Sequence, residues 1–293
     1  MAPKQQSILP EELQAAYDKW GEDFCEVHED EINTKPAKTN YVANYVKMAD
    51  GSLRKPYFKF RGMKLIKCKT PEEREQLDGI GPSYGFFENT MDNKGGNVGF
   101  LVGAYLRSWE KKVEAVKSKF PRTYQKKEVK VPMQTTYGGG KEMDNAIIRI
   151  RFRSDDKNVL RKPVSWLTSD NTWNNMAEDG SPFSESNIHT VVTGGSVGTG
   201  VVDCSSTILS QQCISNSCCN ELLKIKRGTG YGLNEEDEVD QDDLDDLMGM
   251  KVEPEDDEGE AELINRLEQS VKMSPTANEG DDEDVDLDEL GDD

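Results

Sequence analysis

The chain has 293 residues, 34% of them hydrophobic, and its 36 Lys and Arg face 56 Asp and Glu, a net charge of −20. No apolar run approaches the roughly 18 residues of a membrane span, and the first residues contain no apolar signal stretch. We therefore expect an intracellular, soluble protein with no membrane segment. The length suits one elaborated domain or two compact ones.

The charge is divided unevenly along the chain. Residues 234–293 contain 27 Asp and Glu against three bases, a net of −24, so residues 1–233 sum to +4. An acidic segment of this kind cannot bury enough apolar surface to offset the entropy lost on ordering. The sequence thus predicts a folded domain over 1–232 and a disordered acidic tail over 233–293. Such asymmetry points to nucleic acid, or to a partner that itself binds nucleic acid.

The cysteines and histidines do not have the spacing of a metal site. The chain has six Cys and two His, and no two Cys are separated by two residues, as the ligands of a zinc site commonly are. We expect mostly buried, reduced thiols, as in a reducing compartment, with no metal and no cofactor.

The first third of the chain predicts a helix followed by two strands. Apolar residues recur at helical spacing over 10–25, and the segment starts with Pro10 and two glutamates. Residues 35–69 then carry ten Lys and Arg against one acid. Within this basic stretch, 39–48 and 56–68 have strand composition, and the alternation in the second falters at Gly62, where we expect a bulge or bend.

The middle of the chain contains the clearest helix and the clearest strand. Residues 71–97 are rich in Gly, Asp and Asn and predict an irregular connection, whereas 98–120 have an apolar stripe at helical spacing. Over 148–153 three apolar residues alternate with three arginines, so the apolar and cationic side chains of this strand face opposite ways.

The remainder of the folded domain predicts short strands. Residues 159–167 and 188–226 hold β-branched runs broken by glycines. The cluster over 194–200 lacks the Gly-Lys-Ser/Thr ending of a phosphate loop, so we expect a flexible loop or turn. The predicted fold class is mainly β (α+β).

Two strand faces carry cations, and proteins that bind single-stranded nucleic acid typically combine such cations with aromatic rings that stack on bases. One face holds Tyr57, Lys59 and Arg61, and the other holds Arg149, Arg151 and Arg153. The remaining candidate DNA-binding residues are Arg54 and Lys55 at a loop and the rings Tyr41, Tyr45, Trp166 and Trp173. The alternative is that the cations are only solvated and the tryptophans belong to the core.

No constellation of residues predicts an enzyme. A nuclease would need clustered acids in the folded domain, and Asp144, Asp155 and Asp156 are the suggestive set. Acids flanked by arginines at a strand end more often form local salt bridges, so we expect a binding protein.

The acidic tail carries two leucine-containing motifs, over 242–248 and 284–290, and one segment, 260–273, with helical spacing. We predict that Leu244, Leu247, Leu287 and Leu290 bind partner proteins, the alternative being a solubilising tail. A tethered polyanion would also compete with DNA for a basic groove.

A series of short motifs resembles the single-stranded DNA-binding proteins of large double-stranded DNA viruses, of the asfivirus type. These are Asn-Ala-Ile-Ile-Arg-Ile-Arg-Phe at 145–152, Ser-Asn-Ile-His-Thr at 186–190, Gly-Thr-Gly-Val-Val-Asp-Cys-Ser-Ser at 198–206, Cys-Ile-Ser-Asn at 213–216 and Leu-Leu-Lys-Ile at 222–225. Their order matches, over about half of the folded domain. The resemblance implies an OB-like β-barrel with added helices that binds single strands without sequence preference.

The tail departs from that family and is similar to the acidic C-termini of replicative single-strand binders, although it ends in Leu290-Gly291-Asp292-Asp293 rather than an aromatic residue. We expect a protein that coats and protects single-stranded DNA in replication, repair and recombination, with RNA left open as a ligand. The expected location is a viral replication site in the host cytoplasm or nucleus, with packaging in the virion also open. The main alternative is an acidic-tailed chaperone or scaffold for basic proteins such as histones.

Overall fold

The computed structural model of the protein describes residues 7–28, 41–76, 81–137 and 140–228. Within these ranges the chain is mainly β, with fourteen strands and few helices. The acidic segment over 234–293, its predicted disorder and its predicted helix over 260–273 lie outside the described residues.

The two longest helices follow the apolar periodicity of the sequence. The helices are α1 (Pro10–Trp20), α2 (Pro71–Glu75), α3 (Val98–Val116) and α4 (Arg122–Gln125), with single 3-10 turns at Gly21–Asp23, Lys117–Lys119 and Ile188–Thr190. The predicted helix over 98–120 is confirmed, and its stripe buries Leu101, Tyr105 and Trp109. The prediction over 10–25 was too long, because Gly21 adopts a φ of +57° that ends the α-helix.

The smaller sheet has six strands. They are β1 (Cys25–Val27), β2 (Tyr41–Lys47), β3 (Leu53–Arg54), β6 (Glu128–Lys130), β12 (Ser206–Leu209) and β13 (Cys213–Asn216). The order is β1-β2-β12-β13-β6, and β3 pairs with β2 as a hairpin. All pairs are antiparallel except β13 with β6.

The larger sheet has eight strands and curls into a half-barrel. They are β4 (Tyr57–Lys64), β5 (Ser83–Phe87), β7 (Met133–Thr136), β8 (Glu142–Arg151), β9 (Val164–Leu167), β10 (Trp173–Asn174), β11 (Val197–Asp203) and β14 (Cys219–Lys226). One path runs β10-β9-β14-β11-β4, and β8 pairs with β14, β5 and β7. Strand β8 is parallel to β14 and antiparallel to β5.

The predicted bend in β4 is confirmed. Gly62 has a φ of +58°, and the pairing of β4 with β11 shifts register between Gly198 and Gly200. Beyond the bend Met63 and Lys64 still pair with Gly198 and Val197 of β11, and Ile66 then forms an antiparallel bridge with Gly85 of β5. The bend therefore lets one length of chain pair with two different strands.

Two glycine-rich segments were wrongly predicted as irregular. Strand β5 lies inside 71–97, where the short run Ser-Tyr-Gly-Phe-Phe gave no clear alternation. Strand β11 includes most of the glycine cluster over 194–200. A Cβ at Gly198 would lie 2.7 Å from a Leu65 methyl group, and one at Gly200 would strike the Leu222 carbonyl. These glycines permit close packing rather than flexibility.

One hydrophobic core lies under both sheets and α3. A buried chain of hydrogen bonds crosses it. The Trp109 indole N–H of α3 donates to Thr207 Oγ1 at 2.8 Å, and the Thr207 hydroxyl donates to Asn44 Oδ1 at 2.6 Å. The Asn44 amide then donates to the Cys204 carbonyl at 3.1 Å. Trp109, Thr207 and Asn44 are all fully buried, so every bond replaces one lost to water.

Replacing Thr207 with valine preserves volume but leaves the Trp109 donor and the Asn44 acceptor unsatisfied. We expect Thr207→Val to lower the free energy of unfolding by about 2–4 kcal/mol, measured by urea denaturation of the full chain. Thr136→Val, at an exposed position of β7, is the matched control and should change it by less than about 0.5 kcal/mol. Equal effects in the two variants would show that the buried chain of bonds does not stabilise the core.

Candidate nucleic-acid interface

The register of β8 places its arginines on the outer face of the half-barrel. Ile148 and Ile150 are fully buried, whereas Arg149 is half-buried and Arg151 is exposed. Side chains alternate along a strand, so burial of the two isoleucines fixes the arginines outward. The predicted alternation over 148–153 is confirmed up to Arg151, where the strand ends.

The neighbouring strand leaves room above these arginines. Gly85 of β5 lies opposite Arg149, Ser83 lies opposite Arg151, and Phe87 lies opposite Ile147. Phe87 is 42% exposed, which makes it an aromatic ring open to solvent on the same face. Side chains alternate along β5, and Tyr84 and Phe86 are buried on its inner face. Phe87 therefore points outward.

A cavity of about 230 Å³ opens on this face, between β8 and the connection from β4 to β5. Among the described residues that line it, four are cationic and none is acidic. The cations are Lys67, Lys69, Arg74 and Arg149, and the other lining residues are Ile66, Gly81, Ser83, Tyr84, Gly85, Gln134 and Ile147. The face therefore offers positive charge around a partly apolar floor.

Lys67 on one wall is held by the first turn of α2. Thr70 caps this helix by accepting from the Glu73 amide at 3.2 Å, while the Glu73 carboxylate accepts from the Thr70 amide at 3.0 Å. The Lys67 ammonium donates to Glu73 at 2.7 Å, and this bond is the main cause that lowers the pKa of the Glu73 carboxyl. Lys67 and Glu73 remain substantially exposed, so solvent screens the pair.

Arg149 on the opposite wall is positioned by Gln134 of β7. A guanidinium Nη2 of Arg149 donates to Gln134 Oε1, and the Gln134 amide donates to the Thr136 carbonyl at 2.8 Å. Partial burial lowers the pKa of Arg149. Because arginine starts from a pKa above 12, the side chain stays charged at neutral pH.

The face of β4 that was predicted to bind DNA is more enclosed. Tyr57 and Lys59 are half-buried, and Arg61 is only 6% exposed. Tyr57 packs against Val201 and Leu222 in a small apolar cluster. Partial burial, together with repulsion from Arg61 and Lys94, lowers the pKa of the Lys59 ammonium. The alternation ends at Arg61 because the chain bends at the next residue.

Arg153 follows the end of β8 and leans toward β14. Its Nε donates to Cys219 Sγ at 3.0 Å. Partial burial would lower the pKa of Arg153, but Cys219, Asp203 and Tyr41 raise it. Tyr41 is 57% exposed at the start of β2. Neither Arg153 nor Tyr41 is among the residues that line the cavity.

The other predicted DNA-binding residues are likewise not among those that line the cavity. Arg54 pairs with Glu12 at 2.8 Å, Lys55 is exposed, and the Tyr45 ring stands 4.9 Å from His28. Trp166 is 9% exposed, its indole donates to the Met176 carbonyl at 2.8 Å, and Arg227 covers its ring at 5.2 Å. Trp173 is half-buried under Lys224, 4.8 Å from its ring centroid. For Trp166 the alternative noted from sequence, a place in the core, fits this burial.

Of the residues that line the cavity, sequence reasoning singled out Arg149 alone. Lys67 and Lys69 were part of the basic stretch, yet nothing local distinguished them from its other lysines. Gln134 and Phe87 carried no signal, because their role depends on pairing with β8. The predicted partner-binding leucines Leu244, Leu247, Leu287 and Leu290 lie outside the described residues.

The acids that would support a nuclease are exposed. Asp144 lies on β8, and Asp155 Oδ1 accepts from the amides of Lys157 and Val159, at 2.9 and 2.8 Å, in the turn that also holds Asp156. In the described part of the chain, no group of three or more His, Cys, Asp or Glu could hold a metal ion.

Comparison with known proteins adds no family. The chain matches no protein-family model, and no curated protein matches its sequence. None of the helices in the described ranges is long and apolar enough to cross a membrane.

Thiol chemistry offers a test of this packing. All six cysteines are free, five are buried and Cys213 is half-exposed, as expected for mostly buried thiols. Burial raises the pKa of Cys219 to about 11 and that of Cys25 to about 12, so both remain protonated near pH 8.

We expect one rapidly reacting thiol in the native protein and six after denaturation, measured with a chromogenic disulfide reagent. Cys213→Ser should remove the fast phase, and Cys219→Ser, the control, should keep it; rapid labelling of several thiols in the native protein would contradict the packing.

Proposed function

We propose that the curled sheet contains an OB-like barrel of five strands in the order β4-β5-β8-β14-β11. Three observations support it. β8 and β14 are parallel while β5 is antiparallel to β8, β11 pairs antiparallel with both β14 and β4, and Ile66 at the end of β4 bridges to Gly85 of β5. That order brings the last strand back beside the first, which is how a small barrel removes its exposed edges.

We propose that the protein binds single-stranded DNA on the outer face of β5 and β8. OB-folds bind oligonucleotides on the face of their second and third strands and with the loops beside it. In the proposed barrel these strands are β5 and β8, and the loop between the first two strands carries Lys67, Lys69 and Arg74. The observation that carries the proposal is the cavity on this face, whose charged lining residues in the described ranges are all cationic, beside Arg151 and the exposed ring of Phe87.

The chemistry of the face suits the binding of single-stranded DNA without sequence preference. Lys67, Lys69, Arg149 and Arg151 would contact phosphates, which every sequence presents alike. Phe87 would stack on a base, and stacking is tolerant of sequence because each base has a π-face. Tyr41 and Arg153 could extend the path beyond the end of β8.

The acidic tail would regulate this face. Residues 234–293 carry a net charge of −24, and a flexible tether holds them at an effective concentration of about millimolar. The tail would compete with DNA for the cations and would be released once DNA occupies the face. Its leucine-containing motifs, with Leu244, Leu247, Leu287 and Leu290, would then recruit replication proteins.

The proposed biological role follows the family that the sequence resembles. It is a viral-type protein that coats and protects single-stranded DNA during replication, repair and recombination, without catalysing a reaction. Its place would be an intracellular viral replication site, in the cytoplasm or the nucleus.

Fluorescence anisotropy with oligo-dT of about 30 nucleotides tests the ligand and the tail together. We expect the full chain to prefer the single strand over matched duplex, with affinity falling steeply between about 50 and 200 mM salt. The affinity for RNA of matched sequence shows whether binding depends on the sugar of the nucleic acid. Residues 1–233 should bind several-fold more tightly than the full chain, most clearly at low salt.

No binding to any oligonucleotide by either chain would reject the proposal and favour the alternative, an acidic-tailed chaperone for basic proteins. Unchanged affinity after removal of the tail would reject the competition between tail and DNA while leaving the binding face intact.

Removing positive charge from β8 tests where the bound DNA lies on the protein. Arg149→Ala and Arg151→Ala should each weaken oligo-dT binding and reduce the slope of log affinity against log salt by about 0.7. Arg122→Ala, at an exposed position on α4, is the control and should leave both quantities unchanged. An equal loss in all three variants would mean that the protein binds DNA through its general charge and not through this face.

A further inference from the structure

The cavity beside Arg149 has two chemically different sides. Lys67, Lys69 and Arg74 form a cationic side, while Gly85 and Ile147 contribute to the floor together with Tyr84, whose ring is buried on the inner face of β5. Phosphate suits the first side, because it is the group that clustered lysines and arginines hold. A flat, largely apolar ring suits the second. A nucleotide carries both parts, joined by its sugar.

Gly85 keeps the floor of the cavity flat. A Cβ at this position would lie 2.5 Å from the Ile148 carbonyl oxygen and 3.1 Å from Ile147 Cγ2, so no larger residue fits without moving the strands. The absence of a side chain opens the space between Ser83 and Phe87, the two outward residues that flank it on β5. A planar base could thus approach the backbone of β5 directly.

Arg74 has a hydrogen-bond donor that no described residue satisfies. Its side chain is 12% exposed, and one guanidinium nitrogen donates to the Glu185 carbonyl at 2.7 Å. Its Nε is buried and has no hydrogen-bond partner among the described residues. A buried donor left unsatisfied costs free energy, and a ligand oxygen within the cavity would remove that cost.

Arg149 faces the same space with a fixed guanidinium. Gln134 accepts one of its N–H groups, and the Gln134 amide is itself held by the Thr136 carbonyl at 2.8 Å. A guanidinium has five N–H donors, so this contact orients the fork and uses one of them. Gln134 therefore acts as a positioning residue for Arg149.

The size of the cavity limits what it can hold. At about 230 Å³ it is smaller than the roughly 300–1,000 Å³ pockets that enclose drug-sized molecules. It is also several times larger than the roughly 30 Å³ that one water molecule occupies, so an inorganic anion would leave most of it empty. One nucleotide unit, partly open to solvent, matches this range.

We propose that the cavity is a subsite for a single nucleotide of the bound strand. The phosphate lies against Lys67, Lys69 and Arg74, and the base lies on the floor at Gly85 within reach of Arg149. This inference rests on the proposed function and adds to it, because a strand held in such a subsite is fixed at one point while the rest of the face binds it loosely. A nucleoside monophosphate should consequently bind by itself.

Isothermal titration of the full chain with dTMP, thymidine and inorganic phosphate tests the subsite. We expect dTMP to bind and thymidine to bind about tenfold more weakly, because it lacks the group that the cations hold. Inorganic phosphate should also be about tenfold weaker, because it lacks the base. Equal affinity for phosphate and dTMP would reduce the cavity to a simple anion site and overturn the proposal.

Three variants locate the binding. Lys69→Ala should weaken dTMP binding about tenfold, and Gln134→Ala should weaken it less, through loss of the orientation of Arg149. Lys126→Ala, an exposed lysine after α4, is the control and should bind dTMP as the unmodified chain does. Unchanged affinity in Lys69→Ala would place the nucleotide elsewhere and overturn the proposal.

The outcome separates the subsite from the wider function. Binding of oligo-dT without any binding of dTMP would remove the subsite and leave the proposed function standing. Absence of both would overturn the two together.

Discussion

The alternation of β8 is the constraint on which the functional face depends. Ile148 and Ile150 lie in the core with no exposure, and their burial turns Arg149 and Arg151 to the outer face. A shift of one residue would bury two guanidinium groups and expose two isoleucines, at a cost far beyond the few kcal/mol by which a domain is stable. Hydrophobic burial thus holds the cations in place, and no described residue forms a salt bridge with them. The pairing of β8 with β5 and β7 then surrounds these cations with Gly85, Phe87 and Gln134.

The packing behind the face holds this register. The inner side chains of β5 and β8 belong to the same core as α3, and the buried bonds among Trp109, Thr207 and Asn44 tie α3 to the smaller sheet. A rigid support of this kind matters for a face that must present cations and an aromatic ring at fixed spacing. The distribution of charge along the chain is a second feature of the protein. The first 233 residues sum to +4 and the tail to −24, so a mildly basic part of the chain is joined to a polyanion.

Local patterns in the sequence were sufficient where a segment is long and periodic. The stripe over 98–120 and the alternation over 148–153 predicted α3 and the outward arginines, because each pattern reflects burial of one side of its own element. Strand β5 was missed because five residues with a central glycine show little alternation, although that glycine is required by the Ile148 carbonyl beside it. The cavity was not predictable, since Lys67, Gln134 and Arg149 are distant in sequence and meet only through strand pairing. Trp166 resembled a stacking ring by type alone, and its burial depends on long-range packing.

Hydrogen–deuterium exchange of the full chain, with and without oligo-dT of about 30 nucleotides, tests most directly that the strand lies on the outer face of β5 and β8. Bound DNA should slow exchange in peptides covering 65–76, 83–87 and 145–151, the segments that form the face and its cavity. Peptides from the second half of α3, over 107–116, should be unaffected. That helix packs in the core, behind the inner side chains of β5 and β8. Slowed exchange at α3 with no change at β5 and β8, under conditions where DNA is bound, would contradict the account.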